Sequence, residues 1–278
     1  MHSTLARSGP GGGGPGAAQR AVRAGGGRRV GPIATYRDEA VVLRKLDYGE
    51  ADRIYTLLTK EHGKLGALAR GVRKSTSKLS SSLELFARID VQLARGHNLD
   101  VVTQVVRVPG PRLGPDLGRT AYASLVAELA DLATEDRHPL EGIFELVVFA
   151  LEDITLNEPR PAAAWFLWAA LNLLGYAPDL MECDRCRSPL QEQSHPFSPT
   201  LGGFLCPACA PAGLPLVPPA ALKVLRVMAR SDIDLYRRLK LDDGLLAAVE
   251  GVLETQMEHH LDRRLRSLRF LRQMRISA

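Results

Sequence analysis

A chain of 278 residues is long enough for two domains of roughly 100 to 200 residues each, with a sizeable core. The formal net charge of +5 points to an anionic partner only on the surface of it: residues 1–36 hold Arg7, Arg20, Arg23, Arg28 and Arg29 and no acid, and the 31 Lys and Arg left (36 less those five) balance 31 Asp and Glu. Net charge therefore assigns nothing to the folded part, and the longest apolar run, AAAWFLWAAL at 162–171, is too short for a membrane span of roughly 20 residues.

The opening tail, with GPGGGGPGAAQRAVRAGGGRRVGP at 9–32, has too little apolar surface to offset the entropy of ordering and is predicted to be disordered. It lacks the apolar centre of a secretory signal, and a dispensable extension or an early start codon is its ordinary explanation. Charge then separates along the chain. Residues 37–110 carry 13 Lys and Arg against 9 Asp and Glu, a balance of +4, and residues 111–278 carry 18 against 22, a balance of −4.

Between residues 37 and 110 the texture is that of short strands: EAVVLRKL, DYGEADRIYTLLT, GKLGALARG, LELFARIDVQL and LDVVTQVVRV. Breaks fall at Tyr48-Gly49-Glu50, Glu61-His62-Gly63 and Gly96-His97-Asn98, where Gly and Asn tolerate positive φ. Five strands in about 70 residues predict a small barrel of the OB-fold type, with an SH3-like barrel as the alternative.

After VPGPRLGPDLG at 108–118 the period becomes helical, and residues 111–278 are predicted to form an α-helical domain. AYASLVAELADLA, GIFELVVFALEDI and WFLWAALNLL all read as buried helices. Near the end, Val249, Leu253, Met257, Leu261, Leu265, Leu268 and Leu271 step by three or four and predict one long helix with a core-facing stripe. Its far end carries Arg263, Arg264, Arg266, Arg269, Arg272 and Arg275, read as a solvated cap that complements the helix dipole, with a second nucleic-acid contact as the alternative.

All four cysteines fall in CDRC at 183–186 and CPAC at 206–209. Two Cys-x2-Cys pairs at this separation supply four thiolates to one tetrahedral ion, which predicts one structural Zn²⁺ held by Cys183, Cys186, Cys206 and Cys209 in a ribbon inserted between helices. Two disulfides or redox dithiols are the competing reading, disfavoured because a chain without a secretion signal is expected in a reducing compartment, the cytoplasm. A filled coordination sphere leaves no position for an activated water. His195 lies in the intervening loop as a conceivable substitute ligand.

Catalytic patterns are missing. Gly66 to Gly71 has the Gly-x4-Gly spacing of a phosphate loop, but Val72 and Arg73 stand where Lys and Ser or Thr belong. Neither Gly-x-Ser-x-Gly nor His-Glu-x-x-His occurs, and the chain is expected not to be an enzyme. Residues 63–78 carry five cations and no acid. Alternation places Leu65, Ala67 and Ala69 on one face of the strand and Lys64, Leu68 and Arg70 on the other, before a hydroxyl-rich segment with Arg73, Lys74 and Lys78. Cations interleaved with hydroxyls suit phosphate contact, so Lys64, Arg70, Arg73, Lys74 and Lys78 are the candidate nucleic-acid residues. Arg44 and Arg53 are weaker candidates, and Arg53 is read equally well as a structural partner of Glu50 or Asp52. Few aromatics precede residue 110, which favours contact led by backbone charge over base stacking.

Residues 41–78 resemble the start of the RecO family of bacterial recombination mediators, above all in Tyr48-Gly49-Glu50 with Asp52-Arg53, Leu57-Leu58-Thr59, Gly63-Lys64-Leu65, Ala69-Arg70-Gly71 and Arg73-Lys74. Leu173-Leu174-Gly175-Tyr176-Ala177-Pro178 before Cys183 is similar to the lead into the zinc module of some members. The resemblance runs from about residue 36 to the end of the chain. It implies an N-terminal OB-fold, a helical domain with a zinc ribbon, and a role in DNA repair through the RecF recombination pathway. It further implies binding of single- and double-stranded DNA, annealing of complementary strands, and cooperation with RecR in helping RecA displace the single-strand-binding protein SSB. An RNA-binding or transcription-associated OB and zinc-ribbon protein, and a metal-dependent hydrolase, are the other classes the residues admit.

Overall fold

A computed structural model describes residues 34–74, 77 and 79–277. The predicted tail at 1–36 falls almost wholly outside these residues, as does Lys78. Five strands close the N-terminal barrel: β1 Thr35–Tyr48, β2 Asp52–Thr59, β3 Gly63–Ala69, β4 Arg88–Ala94 and β5 Asp100–Arg107. Their order is β1-β2-β3-β5-β4, with β4 returning to β1 and only β3 and β5 parallel, the arrangement of an OB-type barrel.

Strict alternation builds the barrel core. On β3, Leu65, Ala67 and Ala69 are buried while the residues between them are less so. They meet Val42, Tyr55, Leu57, Ile89, Val91 and Leu93 inside. β1 is long because it serves two partners, β4 through its first half and β2 through its second. Its neighbouring residues feed two cores, Ala40 and Val42 the barrel, Val41 and Leu43 the helices. A register shift between Val42 and Arg44 then puts Arg44 beside Thr56, outside the barrel, where unbroken alternation would turn it inward.

The tight turns are glycine-dependent in two different ways. Gly49 and Gly63 take positive φ. Gly96 does not, but a Cβ there would lie 1.9 Å from the Leu99 carbonyl oxygen, so the loop needs glycine for space. The fourth strand starts later than its apolar pattern suggests. Phe86 sits at φ 64 and ends a turn, so pairing begins only at Arg88.

The helical half contains α1 Leu117–Ala133, α2 Ile143–Leu156, α3 Pro159–Leu173, α4 Pro219–Met228, α5 Ile233–Arg237, α6 Asp243–His260 and α7 Arg266–Ser277. Asp116, Asp232 and Asp242 accept from backbone N–H groups in the first turns of α1, α5 and α6, which starts those helices where they start. Arg119 of α1 satisfies the far end of α2, donating to the carbonyls of Ile154, Thr155 and Asn157. Alanines at 162–164 and 170 let α3 approach its neighbours, with Phe166 and Trp168 buried at the centre.

The single long C-terminal helix is not formed. Leu261 ends α6, Asp262 reverses at φ 48, and α7 starts afresh at Arg266. Val249, Leu253, Met257, Leu265, Leu268 and Leu271 nevertheless all remain buried, so one stripe spans two helices. Glu128 of α1 caps the new helix from a distance: its carboxylate accepts from Arg266 N at 2.9 Å, Ser267 N at 2.8 Å and Ser267 Oγ at 2.6 Å. Replacing Glu128 by Ala leaves these donors unpaired and should cost about 1 to 2 kcal/mol, read by thermal unfolding. A variant as stable as the parent would remove Glu128 as the anchor of α7.

Arg272 and Arg275 are not a solvated cap. Arg272 pairs with Glu254 at 2.7 Å and Glu258 at 3.1 Å, and Arg275 with Glu250 at 3.0 Å and Glu254 at 3.1 Å. Glu250 also holds Arg160 of α3 at 2.8 Å, so α3, α6 and α7 share one ionic seam over the apolar stripe. Among the described residues no helix is long and apolar enough to cross a membrane.

Candidate metal centre and nucleic-acid interface

Between α3 and α4 the chain forms a small module with strands β6 His195–Ser198, β7 Gly203–Phe204 and β8 Leu216–Val217, ordered β7-β6-β8. Phe197, Phe204 and Leu205 anchor it in the helical core. Two turns present the cysteines: Arg187 N donates to Cys183 O at 2.8 Å, and Cys209 N to Cys206 O at 3.0 Å. The four sulfurs lie within 4.8 Å of one another.

The Cys186 and Cys206 sulfurs are 3.7 Å apart, close to the roughly 3.8 Å edge of a tetrahedron with metal–sulfur bonds of about 2.3 Å. The electrostatics fit as well. Donors from Ser188, its hydroxyl foremost, bring the Cys186 thiol down to about 6, whereas the neighbouring Cys186 and Cys206 thiols push Cys209 up to about 12. Four thiolates this close repel unless a cation sits among them, so the set is positioned to hold a metal ion. Cys183 is fully buried and Cys186 exposed, which gives the cluster one inner and one outer edge.

His195 is not among these ligands. It is buried, with Nε2 2.8 Å from the Gln191 carbonyl oxygen and Nδ1 3.3 Å from that of Leu205, so it braces the loop from inside. Among the described residues His259 and His260 likewise join no group of metal-ligating side chains, and His260 stacks on Tyr176 with ring centroids 4.3 Å apart.

The candidate nucleic-acid residues fall into three groups. Arg70 and Lys74 are exposed at the end of β3 and have no side-chain partner among the described residues. Arg73 is half engaged, donating from Nη1 to Gly49 O at 3.1 Å and lying 3.6 Å from Asp47 through Nη2. Arg53 is bound to Asp47 at 2.6 Å, a structural partner that is neither Glu50 nor Asp52. Arg44 stands on the opposite face of the hairpin, 3.4 Å from Asp131 yet largely exposed. Arg44 and Arg53 therefore do not extend one patch. Ser75, Thr76 and Lys78 lie outside the described residues.

Lys64 is largely covered. It points away from the barrel core as alternation requires, but α1 covers it: Nζ donates to the Asp131 carbonyl oxygen at 2.5 Å and pairs with the Asp131 carboxylate at 3.2 Å, leaving 13% of the side chain exposed. Alternation distinguishes inside from outside a barrel and cannot report what packs on the outside. Lys64→Met should lower stability by roughly 1 to 2 kcal/mol and leave the salt dependence of any polyanion binding unchanged. A reduced slope would restore Lys64 to the interface.

The segment between α1 and α2 locks the two halves together. Arg137 N donates to Lys64 O at 2.7 Å, and Asp136 bridges to Lys64 beside β3. The Arg137 guanidinium reaches Asp100, 2.9 Å away and completely buried, which also accepts from Tyr36 and from Gly96 N. Burial alone would raise the Asp100 carboxyl, but these donors bring it below its usual value. Sequence reasoning passed over this network because its members lie in four separate segments.

Fold and site together define a two-part protein: an OB-type barrel with a basic loop, joined to a helical half that carries four cysteines positioned to hold a metal ion. Comparison with known proteins narrows the class. A family model described as "Recombination protein O N terminal" matches residues 33–108, and one described as "Recombination protein O C terminal" matches residues 114–269. The chain is 38% identical over 253 residues to "DNA repair protein RecO" of Cutibacterium acnes, covering 86% of this chain and 99% of that relative. The chain belongs to the RecO family of DNA repair proteins.

Proposed function

We propose that this protein is a non-enzymatic mediator of recombinational DNA repair in the RecF pathway. In this reading it binds single- and double-stranded DNA through phosphate contacts, anneals complementary strands, and acts with RecR to help RecA replace SSB on single-stranded DNA. The observation that carries it is the pair of exposed cations Arg70 and Lys74, without side-chain partners among the described residues, on the loop leaving β3 of an OB-type barrel, with Arg73 held between them by weak contacts. Cations free of protein partners can exchange phosphates without first breaking an ion pair. A mediator that must release its strand to another protein needs such exchangeable contacts and no reaction centre.

The metal is proposed to be Zn²⁺, one per chain, held by Cys183, Cys186, Cys206 and Cys209. Bound there it supplies a cross-link between the two turns, and the protein's own contribution is the packing of Phe197, Phe204 and Leu205 against the helices. The proposed location is the cytoplasm, in association with the nucleoid.

Fluorescence anisotropy of a labelled single-stranded oligonucleotide, titrated across salt and followed by addition of the unlabelled complement, tests this reading. Salt-sensitive binding indifferent to sequence, with accelerated annealing, is expected. Preference for RNA of the same sequence, or binding without annealing, would overturn the mediator reading.

A further inference from the structure

The break between α6 and α7 changes what its arginines can be doing. Had the helix continued, they would lie near a C-terminus that welcomes positive charge. Instead Arg263 and Arg264 lie in the turn and Arg266 opens α7, at an end where the helix dipole disfavours cations. With Arg269 they are exposed, and their guanidinium groups have no partner among the described residues. Four like charges within seven residues, unpaired among the described residues, repel one another.

They do not stand alone. Across a cleft of about 550 Å³, Arg44 and Lys45 of β1 approach Arg263, Arg264 and Arg266 over a floor that includes Leu43, Phe86, Ala127 and Leu132. The acids on its walls are already committed, Glu128 to the start of α7 and Asp131 to Lys64 and Arg44. The cleft therefore gathers five cations against two carboxylates, with only Arg44 in an ion pair among the described residues, and it is assembled from segments more than 200 residues apart in sequence.

We propose that this cleft is a second nucleic-acid contact, in which Arg263, Arg264 and Arg266, with Arg44 and Lys45, hold a phosphate backbone. The inference rests on the DNA-binding reading given above and adds to it a separate locus and its residues. Guanidinium forks match phosphate oxygens in pairs. A polymer is favoured as occupant because cations continue beyond the cleft on the hairpin face that Lys45, unlike Arg44, shares with Asp47: about 7 Å along β1, at roughly 3.3 Å per residue, Arg53 and Arg73 gather at Asp47, on the way to Arg70 and Lys74. A bound strand would cross from the barrel loop to the cleft along this edge.

The test uses the full chain and the triple substitution R263Q/R264Q/R266Q, beside R70A/R73A/K74A, with a short and a long single-stranded oligonucleotide across salt. The expected result for the cleft variant is a salt slope lower by about two units on the long oligonucleotide, near 0.7 per lost phosphate, with little change on the short one and an unchanged melting temperature. An unchanged slope on both, while the barrel variant loses affinity, would overturn the cleft and leave the barrel reading standing. Loss in the cleft variant without loss in the barrel variant supports the cleft and removes the barrel loop instead. Absence of salt-sensitive binding by the parent protein removes both.

Discussion

Stripping the metal from the four-cysteine module should unfold the segment from about residue 178 to 217 and loosen the helices around it. Structural zinc in small modules contributes an apparent 10 to 16 kcal/mol at neutral pH, far more than β6, β7 and β8 can contribute with two to four residues each. Because Phe197, Phe204 and Leu205 sit in the shared helical core, the damage should spread beyond the ribbon and lower the melting temperature of the whole unit. Metal analysis of the purified protein should find about one zinc per chain, and Cys183→Ser should abolish it, since this sulfur is the fully buried one.

The pH dependence follows from the thiols. Metal needs thiolates, so affinity rises with pH and falls as protons compete. Cys186, at about 6, is already ionised at neutral pH, but Cys209, at about 12, is not. Loading at pH 7 should therefore release protons, with Cys209 contributing, measurable by calorimetry in buffers of different ionisation enthalpy. Metal-free protein that keeps its melting temperature, or loading without proton release, would contradict a four-thiolate structural site.

The second large effect belongs to the barrel loop. R70A/R73A/K74A should weaken single-strand binding about 100-fold at low salt, near 2.7 kcal/mol, and lower the salt slope by roughly 1.4 to 2.1 units for two to three phosphates lost. The range has a structural origin: Arg70 and Lys74 have no side-chain partner among the described residues, whereas Arg73 must first leave Asp47 and the Gly49 carbonyl. All oligonucleotide sequences should suffer alike. An effect confined to some sequences would indicate base readout, and no effect would leave this loop an ordinary solvated surface.

Much of this was legible in the chain because local rules sufficed. Alternation in GKLGALA and the glycines at its ends mark β3 closely, and Cys-x2-Cys pairs mark a metal site by spacing alone. The failures share a different cause. Met257, Leu261 and Leu265 keep a helical step straight through the Asp262 reversal, so periodicity hides the break between α6 and α7. Lys64 looked available because nothing in its strand records that Asp131, 67 residues later, will cover it. Arg44 and Arg53 were candidates together, and the strand pattern did not record the shift at Val42 that puts them on opposite faces. Each error concerns which distant segment arrives, information that a period of 2 or 3.6 does not contain.

The strap from residue 134 to 139 has a dynamic consequence. By lying along β3 and sending Arg137 to a buried Asp100, it ties barrel and helices through backbone and charge at once. Opening the halves would take Arg137 from the buried Asp100 and leave that charge to Tyr36 and Gly96 N alone, at a cost of about 1.5 to 3 kcal/mol. The surfaces on either side of that junction thus keep a constant separation, and a strand bound as proposed would move across them by exchanging phosphates from one cation to the next, as on a fixed track, without any closing of jaws.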